Sequence, residues 1–275
     1  MKRSSLTSKI LNAPYILWAV LFIIAPLIMV LYYALTDRSG AFTWDNITQI
    51  NDYASTFILS IGYGAVATLI SLVIAYPFAY FLAQTKVSFQ RMSVMLVMLP
   101  MWMSFLIRTY SWITILGDSG VINRFLGIFG IGPLPLLNNA GAVILGMVYN
   151  FLPYMILPIY TVMSKMDRSL IEAAEDLGCG RMQCIRKVVF PLSVPGIASG
   201  FTMVFVPSVS TFYITQKLGG GKINLIGDVI EGQFQVANNF NLGASLSLVL
   251  MIMIIICLAI LNYFADSDDD GGVLV

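Results

Sequence analysis

The strongest constraint on this chain is where its charges are missing. Six stretches, residues 15–35, 57–82, 92–116, 140–163, a fifth within 188–214 and 242–264, contain none of the fourteen Asp and Glu residues, and Arg108 is the only basic residue inside them. A hydrocarbon core of about 30 Å calls for roughly 20 residues of apolar helix, and each stretch reaches that length. Backbone polar groups find no water in hydrocarbon, so such stretches cross as helices. The expected fold is an all-α integral membrane protein: six transmembrane helices over residues 15–264, between an N-terminus of residues 1–14 and an acidic tail of residues 265–275. Composition agrees, since 11% of the 275 residues are charged where a soluble domain carries about 25%.

The first stretch follows Lys2, Arg3 and Lys9, as the apolar core of a secretory signal would. Its 21 residues exceed the roughly 7–15 of such a core, and no small-x-small cleavage pattern follows Leu35, so it reads as a span. Pro26, Pro77, Pro100, Pro153, Pro158 and Pro207 each remove a backbone donor, and packing kinks are the simpler expectation for them than gating hinges. Orientation follows from Lys and Arg in the connections. Ten lie in the N-terminus, the 82–92 turn (Lys86, Arg91) and the 163–188 connection (Lys165, Arg168, Arg181, Arg186, Lys187), against Arg38, Arg124, Lys217 and Lys222 on the other side. The positive-inside rule then places both termini and the 163–188 connection in the cytoplasm. Of the outer connections, 117–139 carries an apolar run, residues 122–131, too short to span and suited to an interfacial or re-entrant helix. Asn46-Ile47-Thr48 fits a glycosylation sequon, a pattern common by chance.

Several functions are disfavoured. A net charge of +1 offers no basic surface for nucleic acid. The absence of histidine removes Ser-His and Cys-His nucleophile pairs and most zinc sites, so no catalytic residue and no metal ligand set is expected. Cys179, Cys184 and Cys257 are odd in number and lack CxxC spacing, so each is expected to be a small apolar residue. An ion-coupled carrier would place carboxylates inside its spans, and there are none.

The 165–191 connection differs in kind from the other loops. Ser169-Leu170-Ile171-Glu172 has the S-x-x-E form of a capping box, and Leu170, Ala173, Ala174 and Leu177 recur at helical spacing on one apolar face. Gly178 and Gly180 suit a left-handed stop, and a second amphipathic piece with Met182, Ile185 and Val189 leads to Pro191. A helix of about three turns is marginal alone, so its apolar face needs a surface to rest on, either the membrane interface and its own bundle or another protein.

Glu172-Ala173-Ala174, three residues, Gly178, nine residues, then Val188-Val189-Phe190-Pro191 resembles the EAA loop of ABC-importer permeases, E-A-A-x3-G-x9-I-x-L-P, with Val188 and Phe190 as conservative departures. Phe42-Thr43-Trp44-Asp45-Asn46, Leu106-Ile107-Arg108-Thr109-Tyr110, and Gly219-Gly220-Gly221-Lys222 followed by Leu225-Ile226-Gly227 are similar to PotB-type permeases of spermidine/putrescine importers. The resemblance covers nearly the whole chain except the acidic tail.

It implies a six-span type I importer permease with a cytoplasmic coupling helix, multi-pass in a prokaryotic inner or plasma membrane. It also implies its partners: an ABC ATPase subunit dimer, a second, PotC-like permease subunit as heterodimer mate, an extracytoplasmic polyamine-binding protein, and membrane lipid. Leu170, Glu172, Ala173, Ala174, Leu177 and Gly178 would then carry ATPase coupling. ATP and Mg would sit on the partner, since this chain has no G-x4-G-K-[ST] and no cofactor of its own is expected. A polyamine pathway calls for carboxylates and aromatic faces. Asp228, Glu231 and Asp118 are the acidic candidates, and Trp102, Tyr110, Trp112 and Tyr213 the aromatic ones, with interface anchoring as the alternative for each aromatic. Arg108 would repel a polycation and is expected to pair with an acid or with helix carbonyls.

Overall fold

The computed structural model describes residues 14–267. The basic cluster Lys2, Arg3 and Lys9, and Asp268, Asp269 and Asp270 of the tail, lie outside the described residues. Within them the regular structure is helical: α1 (Pro14–Ala34), α2 (Ala54–Gln84), α3 (Val87–Met98), α4 (Phe105–Leu116), α5 (Val121–Ile128), α6 (Ala140–Ser164), α7 (Arg168–Asp176), α8 (Arg181–Val209), α9 (Tyr213–Leu218), α10 (Ile226–Gln235) and α11 (Phe240–Ser267). α1, α2, α6, α8 and α11 are each long and apolar enough to cross a membrane.

The third expected span is not one straight helix. α3 tightens into a 3-10 turn, Leu99–Trp102, the backbone is extended at Met103 and Ser104, and the chain bends by 90° before α4. Pro100 inside the turn cannot donate to the ladder and fixes its own φ, which accounts for the break. Two other prolines are absorbed differently. A wider π-helical segment, Val20–Ile24, precedes Pro26, and another, Ile185–Val189, precedes Pro191. The extra residue per turn moves aside the carbonyl that the proline ring would strike. The second segment joins the amphipathic piece at Arg181 to the fifth span, which therefore starts earlier than the sequence suggested and ends at Val209.

The chain divides into two compact units. In the unit built from residues 14–55 and 229–252, asparagine and serine side chains clasp the end of α1. Asn241 Nδ2 and Asn46 Nδ2 both donate to the Thr36 carbonyl, at 2.6 and 2.8 Å, and Ser245 Oγ donates to the Ala34 carbonyl at 3.1 Å. These are the orphan carbonyls of a helix end, satisfied by side chains. Asn46, 9% exposed, is thus a structural clasp rather than a glycan acceptor.

In the unit built from residues 56–228 and 253–267, α6 is the axis. Its Val143, Met147, Met155 and Ile159 are fully buried, and α8 packs along it through Gly196 and Gly200. A Cβ at Gly196 would stand 3.0 Å from the Pro158 carbonyl oxygen, and one at Gly200 would stand 2.8 Å from Met155 Sδ. Small residues four apart let two backbones approach where lipid gives no hydrophobic drive between helices. Near the start of α6, Gly146 admits Ile214 and Leu218 of α9 in the same way.

Candidate functional site

The segment that follows α6 is built from local rules. Its helix α7 is capped by Asp167, whose carboxylate accepts from the Ser169 backbone N–H at 3.0 Å, so the expected capping box at Ser169 and Glu172 is displaced. An ionised side chain just before the helix start answers both the orphan donors and the positive helix end. The Ser169 N–H, first, and its hydroxyl, second, hold the Asp167 carboxyl below the usual carboxylate range. At the other end Gly178 adopts φ +83°, its N–H donates to Glu175 O at 2.9 Å and the Cys179 N–H donates to Ala174 O at 3.0 Å. Those two bonds are a Schellman stop, with glycine at the left-handed position.

The apolar face of α7 is rotated from the one expected. Ala174 is buried and Ile171 packs on the core, whereas Leu170, Ala173 and Leu177 point away, Leu177 being 87% exposed. The helix therefore rests on its own chain through Ile171 and Ala174. Ala174 is corrected from an outward coupling contact to a seat for the helix. Met182, 75% exposed, extends the outward apolar surface beyond the turn. Between α2, α7 and α8 lies a cleft of about 520 Å³ lined by Tyr80, Gln84, Glu172, Glu175 and Arg181, among others. The adjoining turn is tied down by Gln90, which donates to the Ala83 and Thr85 carbonyls at 3.0 and 2.9 Å and accepts from the Tyr160 hydroxyl at 3.1 Å.

At the far end of α6 the structure brings together two of the aromatic candidates. The rings of Tyr110 on α4 and Tyr213 on α9 stand edge to face at 6.4 Å, and Phe105 lies 6.0 Å from Tyr213. A cation already sits between the tyrosines: Lys217 Nζ is 5.7 Å from the Tyr110 ring centre and 5.8 Å from that of Tyr213. Arg108, 8% exposed, lies with its guanidinium carbon 5.9 Å from the centre of Phe105. Among the described residues its buried Nε and Nη1 meet neither the acid nor the helix carbonyls expected for them. The reason is local: Arg108 stands in the first turn of α4, where a helix presents N–H groups rather than free carbonyls.

The remaining candidates are elsewhere. Trp102 is exposed at the break after α3, Asp118 is exposed in the turn after α4, and Trp112 stacks edge to face on Tyr149 at 5.3 Å. Asp228 and Glu231 share α10, and Asp228 Oδ2 accepts the Leu225 N–H at 2.9 Å, so it ties the helix start. Beside it the Ile226 N–H donates to Ser60 Oγ of α2 at 2.7 Å.

Residues 67–267 match the family of binding-protein-dependent transport system inner membrane components. The chain belongs to that family. Among curated relatives of this permease, it is 36% identical over 241 residues to the spermidine/putrescine transport system permease protein PotB of Haemophilus influenzae, covering 84% of each chain. It is 35% identical over 253 residues to PotB of Escherichia coli K12, covering 88% of this chain and 92% of that one. A solved bacterial ABC transporter involved in the import of the acidic polysaccharide alginate superposes with a TM-score of 0.77 over 94% of each chain at 17% identity, which fixes the fold as that of type I importer permeases.

Two features of the permease escaped sequence reasoning. Lys217 counted there only as an outer charge, although its i, i+4 spacing from Tyr213 was a usable signal. Gly196-x3-Gly200 inside an apolar run was the other.

Proposed function

We propose that this permease imports polyamines of the spermidine/putrescine class, as one of two permease subunits driven by a cytoplasmic ATPase dimer and fed by an extracytoplasmic binding protein. The observation that carries the cargo assignment is the similarity to PotB proteins over most of both chains. A solved transporter of the same fold, in complex with an alginate pentasaccharide-bound periplasmic protein, supports the delivery partner. The outward surface of Leu170, Ala173, Leu177 and Met182, with Glu172 at the mouth of the cleft, is the docking face for the ATPase. Ala174 and Gly178 hold the helix in place beneath it. This chain does no chemistry of its own: ATP and Mg bind the partner, and the motif that would cradle phosphate is missing from the sequence. Both termini lie in the cytoplasm, as the Lys and Arg asymmetry requires.

Reconstitution of the complex in proteoliposomes tests this reading. Glu172→Lys or Gly178→Asp leaves the permease inserted and abolishes spermidine-stimulated ATP turnover; normal stimulation in either variant would sink the coupling assignment. Radiolabelled spermidine uptake competed by putrescine identifies the cargo, and its absence in the unaltered complex would refute it.

A further inference from the structure

We propose that Tyr110 and Tyr213 form a docking station for one ammonium group of the cargo, and that in the state described here Lys217 occupies it as an internal stand-in that the cargo displaces. The inference rests on the polyamine reading above. Three observations carry it.

The first is the geometry of the pair. Lys217 Nζ is almost equidistant from two aromatic faces, at 5.7 and 5.8 Å, and a primary ammonium within about 6 Å of a ring centre is attracted by the ring quadrupole. The lysine side chain ends in the same functional group as a polyamine, an alkyl chain carrying a primary ammonium, so rings that accept one accept the other.

The second is the backbone. Two helical interruptions meet at this cluster: Met103 and Ser104 before α4, and residues 210–212 between α8 and α9, bridged by the 6.0 Å contact of Phe105 with Tyr213. Non-helical backbone at membrane depth is tolerated where it is buried in protein or lines a watery passage, not against lipid. Buried Arg108, with Nε and Nη1 lacking acceptors, is equally unsuited to a lipid face.

The third is position. α9 packs on Gly146, and α7 begins after Ser164, so the cluster lies about 27 Å along α6 from the segment carrying the coupling helix. The station is therefore on the side from which an importer receives its cargo. Tyr110 is 51% exposed, so its ring is not sealed inside this chain.

A tethered competitor lowers apparent affinity by the fraction of time it holds the site. The spermidine concentration giving half-maximal stimulation of ATP turnover is measured in the full reconstituted complex. Lys217→Met is expected to lower it about threefold to tenfold, the range of one exposed to partly desolvated cation–π contact. Lys217→Arg stays near the unaltered value. Tyr110→Leu with Tyr213→Leu raises half-saturation by a similar factor, Tyr110→Phe with Tyr213→Phe restores it because the faces remain, and Lys217→Met added to the leucine pair has no further effect. A lysine that merely complements the end of α9 would change thermal stability without moving half-saturation. If the unaltered complex responds to spermidine but neither Lys217→Met nor the leucine pair shifts half-saturation, or if their effects add, the station is refuted while the polyamine reading stands. If the unaltered complex does not respond to spermidine, both fall together.

Discussion

The two ends of α6 follow opposite building rules. At the end that leads into α7, an Asp cap, a nine-residue helix and a glycine stop are specified within about fifteen residues of sequence, and the finished helix leaves Leu177 and Met182 in the open. At the far end, Tyr110, Tyr213 and Lys217 come from helices separated by about a hundred residues and meet only because α9 folds onto Gly146. A short capped helix can be encoded locally, since caps and a glycine stop act within single turns. A cluster drawn from distant helices needs the whole bundle to assemble it.

The largest effect is expected from breaking what joins the ends. Gly200→Leu drives a side chain into Met155, and because α6 and α8 approach backbone to backbone there, the cost is about 3 kcal/mol or more. The melting temperature of the purified permease in detergent should fall sharply, and an unchanged value would show that the contact is plastic. Next, Gly178→Val places a β-branched residue at φ +83°, which only glycine adopts freely. Transport should fall at least about tenfold with little change in melting temperature, because the strain stays within a segment that packs weakly. Equal losses in both would erase the contrast between the ends.

A smaller effect separates charge from structure on α10. Asp228→Asn keeps an oxygen that can accept the Leu225 N–H, so Asp228→Asn with Glu231→Gln removes negative charge while preserving the cap. Spermidine uptake should weaken by about threefold, as expected of charge steering near a passage; unchanged kinetics would leave Asp228 a capping residue only. The smallest effect concerns Asp167. Its folded-state pKa is depressed, so its contribution is complete above the ordinary carboxylate range and lost as pH falls through the lowered value. ATP turnover at neutral pH should not titrate through this group. Asp167→Ala should lower coupling by a factor of about two to three at pH 7, and Asp167→Asn by less.

Much of this was legible in the residues. Charge-free stretches marked the spans, and E-A-A-x3-G with its downstream proline marked the family to which the chain belongs. Errors arose wherever a choice depended on neighbours. Ser169 and Glu172 satisfied a capping pattern, but Asp167 two residues earlier offered a charged acceptor and won. Leu170 and Leu177, read as an apolar face in need of a partner surface, stay outward, and the sequence did not show that Ile171 and Ala174 would meet the surface beneath the helix. Arg108 was given a partner because a buried cation ought to have one, and among the described residues its Nε and Nη1 meet no acceptor while the centre of the Phe105 ring lies 5.9 Å from its guanidinium carbon.

By itself the sequence determined the solvent of this protein, its apolar spans and the place of the short capped helix that follows α6. Hydrocarbon imposes its cost residue by residue, and caps and glycine stops act over a single turn. Only the tertiary structure decided that Pro100 would bend the third span by 90° while Pro26 and Pro191 were absorbed by wider turns. It alone set which face of α7 stays open, and it alone brought Lys217 between two tyrosines. Those outcomes turn on packing between distant segments, where contacts of comparable energy compete and only the assembled neighbours choose among them.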